Sequence, residues 1–214
     1  MTAGTRRGGC NVETDQAITV CRAAHERLLA TAAAVDDDMA RRPSLLPGWS
    51  VGHVLTHLTR NAQGQAGRLE GALRGEEVAR YPGGGEQRDA DIVQGAGRTA
   101  AELEADLTTW CGRLEETWCR SERAGWPHAD LLAGDHWPTS ASPLRRLREV
   151  EVHHVDLGLG YERSDWPDDY VQWELARTLE RLPSRLFGPD DPRRLLAWLI
   201  GRAPWPEGLE LGPW

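Results

Sequence analysis

None of the 25 basic residues is a lysine; every one is an arginine. Schiff-base chemistry and a lysine general base are therefore excluded outright. Positive charge is also short overall: 33 acids leave a net charge of −8. Such a chain lacks the basic patch that a nucleic acid or an anionic membrane surface requires, so neither is expected as a partner. Apolar runs are brief, and none approaches the roughly 20 residues of a membrane span. The opening MTAGTRRGGCNVETDQ has two arginines but no apolar stretch behind them. It does not read as a secretory signal, and the expected compartment is the cytoplasm. Cysteines number four (Cys10, Cys21, Cys111 and Cys119), with no CxxC spacing, which excludes a zinc ribbon or a thioredoxin-like motif. Cys21 shares a stripe with Ile18 and Leu28, and Cys111 lies one turn from Leu107 and Leu114. Both read as small core residues, not nucleophiles. The absence of lysine beside abundant alanine and glycine is the composition of a GC-rich, actinobacterial type of genome.

What is present suits a globular chain of one domain with an appendage. Residues 14–35 carry apolar side chains at helical spacing, and VDDDMARRPSLLPGW breaks that pattern. Ser50 is a suitable N-cap for a second helix through VGHVLTHLTRNAQGQAGRLEGAL. RYPGGGEQRDAD reads as a loop by its glycines and proline. A third helix is expected from Asp91 to Arg120, with Leu103, Leu107, Trp110, Leu114 and Trp118 spaced by three and four. GWPHADLLAGDHWPTSASP is an irregular connection. Ser142 followed by Pro143 signals a fourth helix, with a capping hydroxyl and then proline at the first helical position. After Asp-Trp-Pro at 165–167 one more helix is expected, then a short helix and a proline-rich tail. The pattern predicts an all-α protein built on an antiparallel four-helix bundle over residues 12–160, with a short, mostly helical C-terminal extension over 161–214.

The fourth helix carries EVEVHHVD, residues 149–156. At 100° per residue, Glu149, His153 and Asp156 share an arc of about 60°, while Glu151 and His154 share another on roughly the opposite side. Periodicity does not choose between these faces, because apolar residues flank both. On the second helix His53 and His57 are also four apart, and His57 lies closer to the apolar arc of Val54, Leu55 and Leu58. One histidine there and a Glu-x-x-x-His on the fourth helix would give two imidazoles and one carboxylate. That set suits zinc with an open fourth position, and nickel or iron(II) would accept it too. Asp156 could accept from an imidazole N–H.

LPGWSVGHVLTHLTRNAQGQAGRL, followed by RLREVEVHHVDLGLGYERSDWP, resembles the mycothiol-dependent maleylpyruvate isomerase family among the DinB-like metal-binding bundles. The likeness extends to RDADIVQGAGRTAAELEADL and LLAWLIGR. It implies a zinc, or another divalent metal, held by His57, Glu149 and His153. His53, Glu151 and His154 are then outer-face residues. Mycothiol is implied as the thiol cosubstrate, and an arginine after a glycine, here Arg202 in WLIGRAP, as a catalytic residue that binds a substrate carboxylate. Full-length family members carry an α/β C-terminal domain of some size, and residues 161–214 lack the alternating strands it would need.

Three functions are compatible with such a site. The first is cis–trans isomerisation of a cis-unsaturated dicarboxylate by thiolate addition, rotation and elimination. The second is a thiol S-transferase or detoxifying hydrolase on the same metal. The third is a non-catalytic, metal-stabilised bundle that pairs as a homodimer. The expected partners are a small-molecule substrate and a low-molecular-weight thiol.

Overall fold

The structure, a computed structural model, describes residues 10–127, 138–186, 196, 197 and 200–202. These residues form helices and no β-strand; Pro43 and Ser50 make one isolated bridge. The helices are α1 (Cys10–Ala33), α2 (Asp37–Arg41), α3 (Val51–Leu73), α4 (Gly84–Ala96), α5 (Ala100–Arg123), α6 (Ser142–Asp156) and α7 (Asp168–Leu186). The chain divides into two compact units, Met1–Trp166 and Pro167–Trp214. In the first, α1, α3, α5 and α6 make the bundle, with α1 packed on α5 and α6, and α3 packed on α4, α5 and α6. In the second, α7 follows the Asp-Trp-Pro signal as expected. The short terminal helix and the tail fall mostly outside the described residues. No described helix is long and apolar enough to cross a membrane.

Leu28, Leu55, Leu58, Leu103, Leu107, Leu114, Trp118 and Leu147 fill the core, and Cys21 and Cys111 are buried among them. At its centre lies a charge, the fully buried Arg146 of α6. Its guanidinium donates to Leu58 O (2.8 Å) and Asn61 Oδ1 (3.0 Å) of α3, and to His25 Nε2 (3.0 Å) of α1. It also reaches Cys111 Sγ of α5 at 3.5 Å. Because His25 Nε2 accepts, Nδ1 carries the proton and donates to Glu115 at 2.6 Å. One side chain thus bonds to all three other bundle helices, and its charge is matched by acceptors that a buried cation requires.

Three expectations are corrected. RYPGGGEQRDAD is not wholly a loop, since α4 begins at Gly84. Further along α4, Gly95 serves close packing: a Cβ there would fall 2.5 Å from Thr56 Cγ2 of α3. The single helix over Asp91–Arg120 is two, broken between Ala96 and Ala100. There Thr99 caps α5, accepting from Glu102 N while Glu102 accepts in return from Thr99 N. Ser142 does not cap α6 through its side chain, because Ala141 is the N-cap. The Ser142 hydroxyl is occupied instead, accepting from Trp118 Nε1 (3.0 Å) and donating to Gln65 Oε1 (2.9 Å).

Glu151 and His154 are also not outer-face residues; they are 1% and 2% exposed. α6 is flanked by α3 and α1, so the face turned from α3 is buried against α1. Arg27 donates to Glu151 Oε1 (2.6 Å), and the Tyr161 hydroxyl donates to Glu151 Oε2. His154 Nε2 lies 2.8 Å from Thr31 Oγ1, and its ring stacks on Tyr161 at 3.8 Å between centroids.

Burial, and then the Arg27 charge, hold the His154 imidazole down at about 4. The unfolded chain protonates this ring at about 6.5, so between those values the unfolded state binds the extra proton. His154 therefore lowers stability as pH falls from 6.5 towards 4, and adds no slope above that window. In thermal unfolding, His154→Gln is expected to flatten the fall of Tm across that window; an unchanged slope would show that the ring is not held neutral.

Candidate metal centre

The site starts from the turn before α3. In LPGWS, Gly48 takes φ +79°, a conformation that a side chain resists, and Ser44 N donates to Trp49 O at 2.8 Å. The turn delivers Ser50 as N-cap and sets the Trp49 ring over the start of α3, 5.7 Å from the His57 ring. His53 is taken up by the cap: Ser50 N donates to its Nδ1 at 3.2 Å, and His53 N donates to Ser50 Oγ. His57, one turn on, points into the bundle and is buried. This separates the two histidines of α3 by local chemistry.

Arg146, Glu149 and His153 follow one another at i, i+3 and i+7 along α6. Since Arg146 is tied to Leu58 and Asn61, Glu149 comes opposite His57, one turn earlier on α3. His57 Nε2 lies 3.1 Å from Glu149 Oε2, and His153 Nε2 lies 3.7 Å from the same oxygen. The imidazole rings are 4.5 Å apart and steeply inclined at 77°. Donor atoms of His57, Glu149 and His153 all fall within 4.8 Å of one another. Ligands at about 2.0–2.1 Å from a tetrahedral ion sit roughly 3.3 Å apart, so the donors are close to the spacing that a small divalent cation needs. Asp156 Oδ2 accepts from His153 Nδ1 at 2.7 Å, which turns Nε2 toward the cluster.

The electrostatics agree with the donor chemistry. Burial pushes the Glu149 carboxyl up, but the His57 hydrogen bond and the charges of His57, Arg80 and His153 outweigh it and hold it at about 2. Burial holds His57 below its ordinary value. Glu149 is thus an anion and His57 a neutral imidazole near neutral pH, the forms in which both bind metals. His57 Nδ1 is buried with no hydrogen-bond partner. While Nε2 donates to Glu149, that atom is an orphaned acceptor; a cation on Nε2 would move the proton to Nδ1. The Glu149 side chain keeps 21% exposure, so a further ligand can reach the cluster.

The structure brings together His57, Glu149 and His153 with Asp156, and turns Glu151 and His154 to α1. Arg202 belongs to the second unit, where its guanidinium is exposed and lies 3.5 Å from Ile200 O. Sequence reasoning missed two neighbours of the site. Trp49 lies in the turn before α3, and Arg80, whose Nη2 lies 3.9 Å from Glu149 Oε1, stands in a connection without periodicity. Gly64 leaves room for the Arg80 backbone against α3, a contact between distant segments that no local pattern announces.

Fold and cluster define a class: a helical bundle with an imidazole–carboxylate–imidazole set from two facing helices. Comparison makes it specific. Residues 21–158 match the family described as mycothiol maleylpyruvate isomerase N-terminal domain, and the chain belongs to that family. Two solved structures are similar. One is the crystal structure of the mycothiol-dependent maleylpyruvate isomerase, at 26% identity with a TM-score of 0.72. The other is a mutant of that enzyme with one histidine replaced by alanine, at 25% identity with a TM-score of 0.72. Each alignment covers 80% of this chain and 71% of the other. A comparison with curated proteins returns no match.

His153→Ala is expected to abolish metal binding and Asp156→Ala to weaken it about 10- to 100-fold, while His154→Ala keeps the metal. Competition against a chromophoric chelator measures all three. Full affinity in His153→Ala would remove the site.

Proposed function

We propose that this chain is a zinc-dependent, mycothiol-dependent isomerase of a cis-unsaturated dicarboxylate, of which maleylpyruvate is the type. The observation that carries the reading is the three-donor cluster, one ligand short of the four that a structural zinc takes from the protein. Zinc bound there would stabilise the thiolate of the cosubstrate at neutral pH, supplying a nucleophile without a general base. The sulfur adds to one carbon of the double bond and the electron pair passes to the adjacent carbonyl as an enolate. Rotation about the resulting single bond follows. Expulsion of the sulfur then restores the double bond in the trans geometry, with no thiol consumed.

The residues of the chain hold and orient. His57 and His153 provide neutral imidazoles and Glu149 the anion, while Asp156 fixes the tautomer of His153. Trp49 closes one side of His57 with an apolar ring. In this reading residues 12–160 are the metal-binding bundle and residues 161–214 a short extension. Arg202 in that extension is the candidate for one substrate carboxylate, since an arginine fork matches a carboxylate bidentately. The chain works in the cytoplasm, where a low-molecular-weight thiol stays reduced.

Loss of maleylpyruvate absorbance is expected to be faster with mycothiol than without it, with the thiol recovered unchanged, and to fall to background in His57→Ala. Stoichiometric consumption of thiol as an adduct would replace the isomerase by an S-transferase. No thiol effect on any cis-unsaturated acid would leave a non-catalytic metal bundle.

A further inference from the structure

Between α3, α4, α5 and the connection at 74–83 lies a cavity of about 290 Å³. Four of its lining residues are arginines against two acids, and Tyr81 and Trp110 add aromatic wall. Three of the arginines already have carboxylates. Arg113 grips both oxygens of Glu70 (3.0 and 2.8 Å), Arg88 donates twice to the one oxygen Oδ1 of Asp89 (2.9 and 2.6 Å), and Arg60 pairs with Asp106.

Arg80 differs. Its closest carboxylate among the described residues is Glu149, at 3.9 Å, and Glu149 belongs to the metal cluster. Its Nε is buried with no hydrogen-bond partner, and its guanidinium lies over the Tyr81 ring at 5.5 Å. Arg80 therefore stands at the border of two spaces, lining the cavity on one side and facing the cluster on the other. Its place is held from beneath by Gly64, where a Cβ would meet Arg80 O at 2.6 Å and Arg80 Cγ at 2.9 Å. A backbone oxygen cannot yield as a side-chain tip can, so only glycine lets this connection lie against α3.

A divalent cation on His57, Glu149 and His153 takes up the charge of Glu149. Arg80 is then a part-buried guanidinium with no anion of its own, beside a second positive centre. That arrangement is costly until an anion enters. The cavity is at the small end of the range for small-molecule sites, and a guanidinium fork selects a planar carboxylate.

We propose that Arg80 binds a carboxylate of the electrophilic substrate, with that substrate lying in the cavity beside the metal donors. The inference rests on the metal-and-thiol reading above. It also supplies a second cation for a dianion, from the same unit as the metal cluster. The thiol cosubstrate is not the occupant assigned to Arg80, because its thiolate would be held by the metal, and a guanidinium fork matches a planar carboxylate and not a single sulfur.

The test uses the zinc-loaded full chain without any thiol, titrated calorimetrically with pimelate, a saturated dicarboxylate that cannot react. Arg80→Gln is expected to weaken pimelate binding by about tenfold or more, with the zinc content per chain unchanged. Arg80→Lys should recover part of the loss by restoring charge without the fork, and Gly64→Ala should weaken binding by displacing Arg80. Equal pimelate affinity in parent and Arg80→Gln overturns the proposal, as does a zinc-loaded parent that binds no pimelate. Loss of zinc in Arg80→Gln would overturn it too, making Arg80 a support for Glu149. A parent that takes up no zinc removes the metal reading, and the proposal with it, at a separate step before any pimelate is added.

Discussion

The site depends on where α6 sits along α3, and that register is held by a buried guanidinium. Arg146 donates to a backbone carbonyl and an amide of α3, to an imidazole of α1 and, at longer range, to a thiol of α5. A cation without water tolerates few arrangements, because each lost acceptor leaves part of its charge unsolvated. Sliding α6 by a turn would break all of these bonds at once. Apolar packing alone is more permissive, since leucines and valines trade neighbours at little cost. Glu149 and His153 follow Arg146 on the same face, so the bond that pins the helix also aims the ligands.

Having neighbours on two sides gives α6 two polar faces with different duties. Toward α3 it presents Glu149 and His153, and the site they form with His57 of α3 is not fully satisfied: His57 Nδ1 has no partner and the Glu149 carboxylate is flanked by two imidazoles. Toward α1 its polar groups are matched, Glu151 by Arg27 and Tyr161, and His154 by Thr31. Incomplete satisfaction on one face and completion on the other is what a ligand site beside a structural seam looks like.

Much of this was legible in the residues. Ser50 announces the start of α3, and the apolar arc favours His57 over His53 as the inward histidine; in the structure His57 is buried and His53 is held by the cap. The spacing of Glu149, His153 and Asp156 placed them on one arc, as found. Other features were hidden because they depend on contacts between distant segments. Spacing left both faces of α6 open, and only the resemblance put Glu151 and His154 on the outer face; nothing local shows that α1 supplies Arg27 and Thr31. Ser142 had every local mark of a cap, yet Trp118 and Gln65 claim its hydroxyl. The break before α5 was visible as Thr99-x-x-Glu102, but the apolar spacing on either side masked it. Arg80 could not be placed from a loop sequence, since its position is set by the missing side chain of Gly64.

The central claim is that the bundle offers two imidazoles and one carboxylate to a metal and leaves the next position for a thiol. X-ray absorption at the metal edge of the zinc-loaded chain, before and after mycothiol, tests it most directly. The account predicts only nitrogen and oxygen neighbours at about 2.0–2.2 Å at first, and one sulfur at about 2.3 Å once the thiol is added. A sulfur neighbour before any thiol is added, or a shell that stays unchanged afterwards, would contradict it.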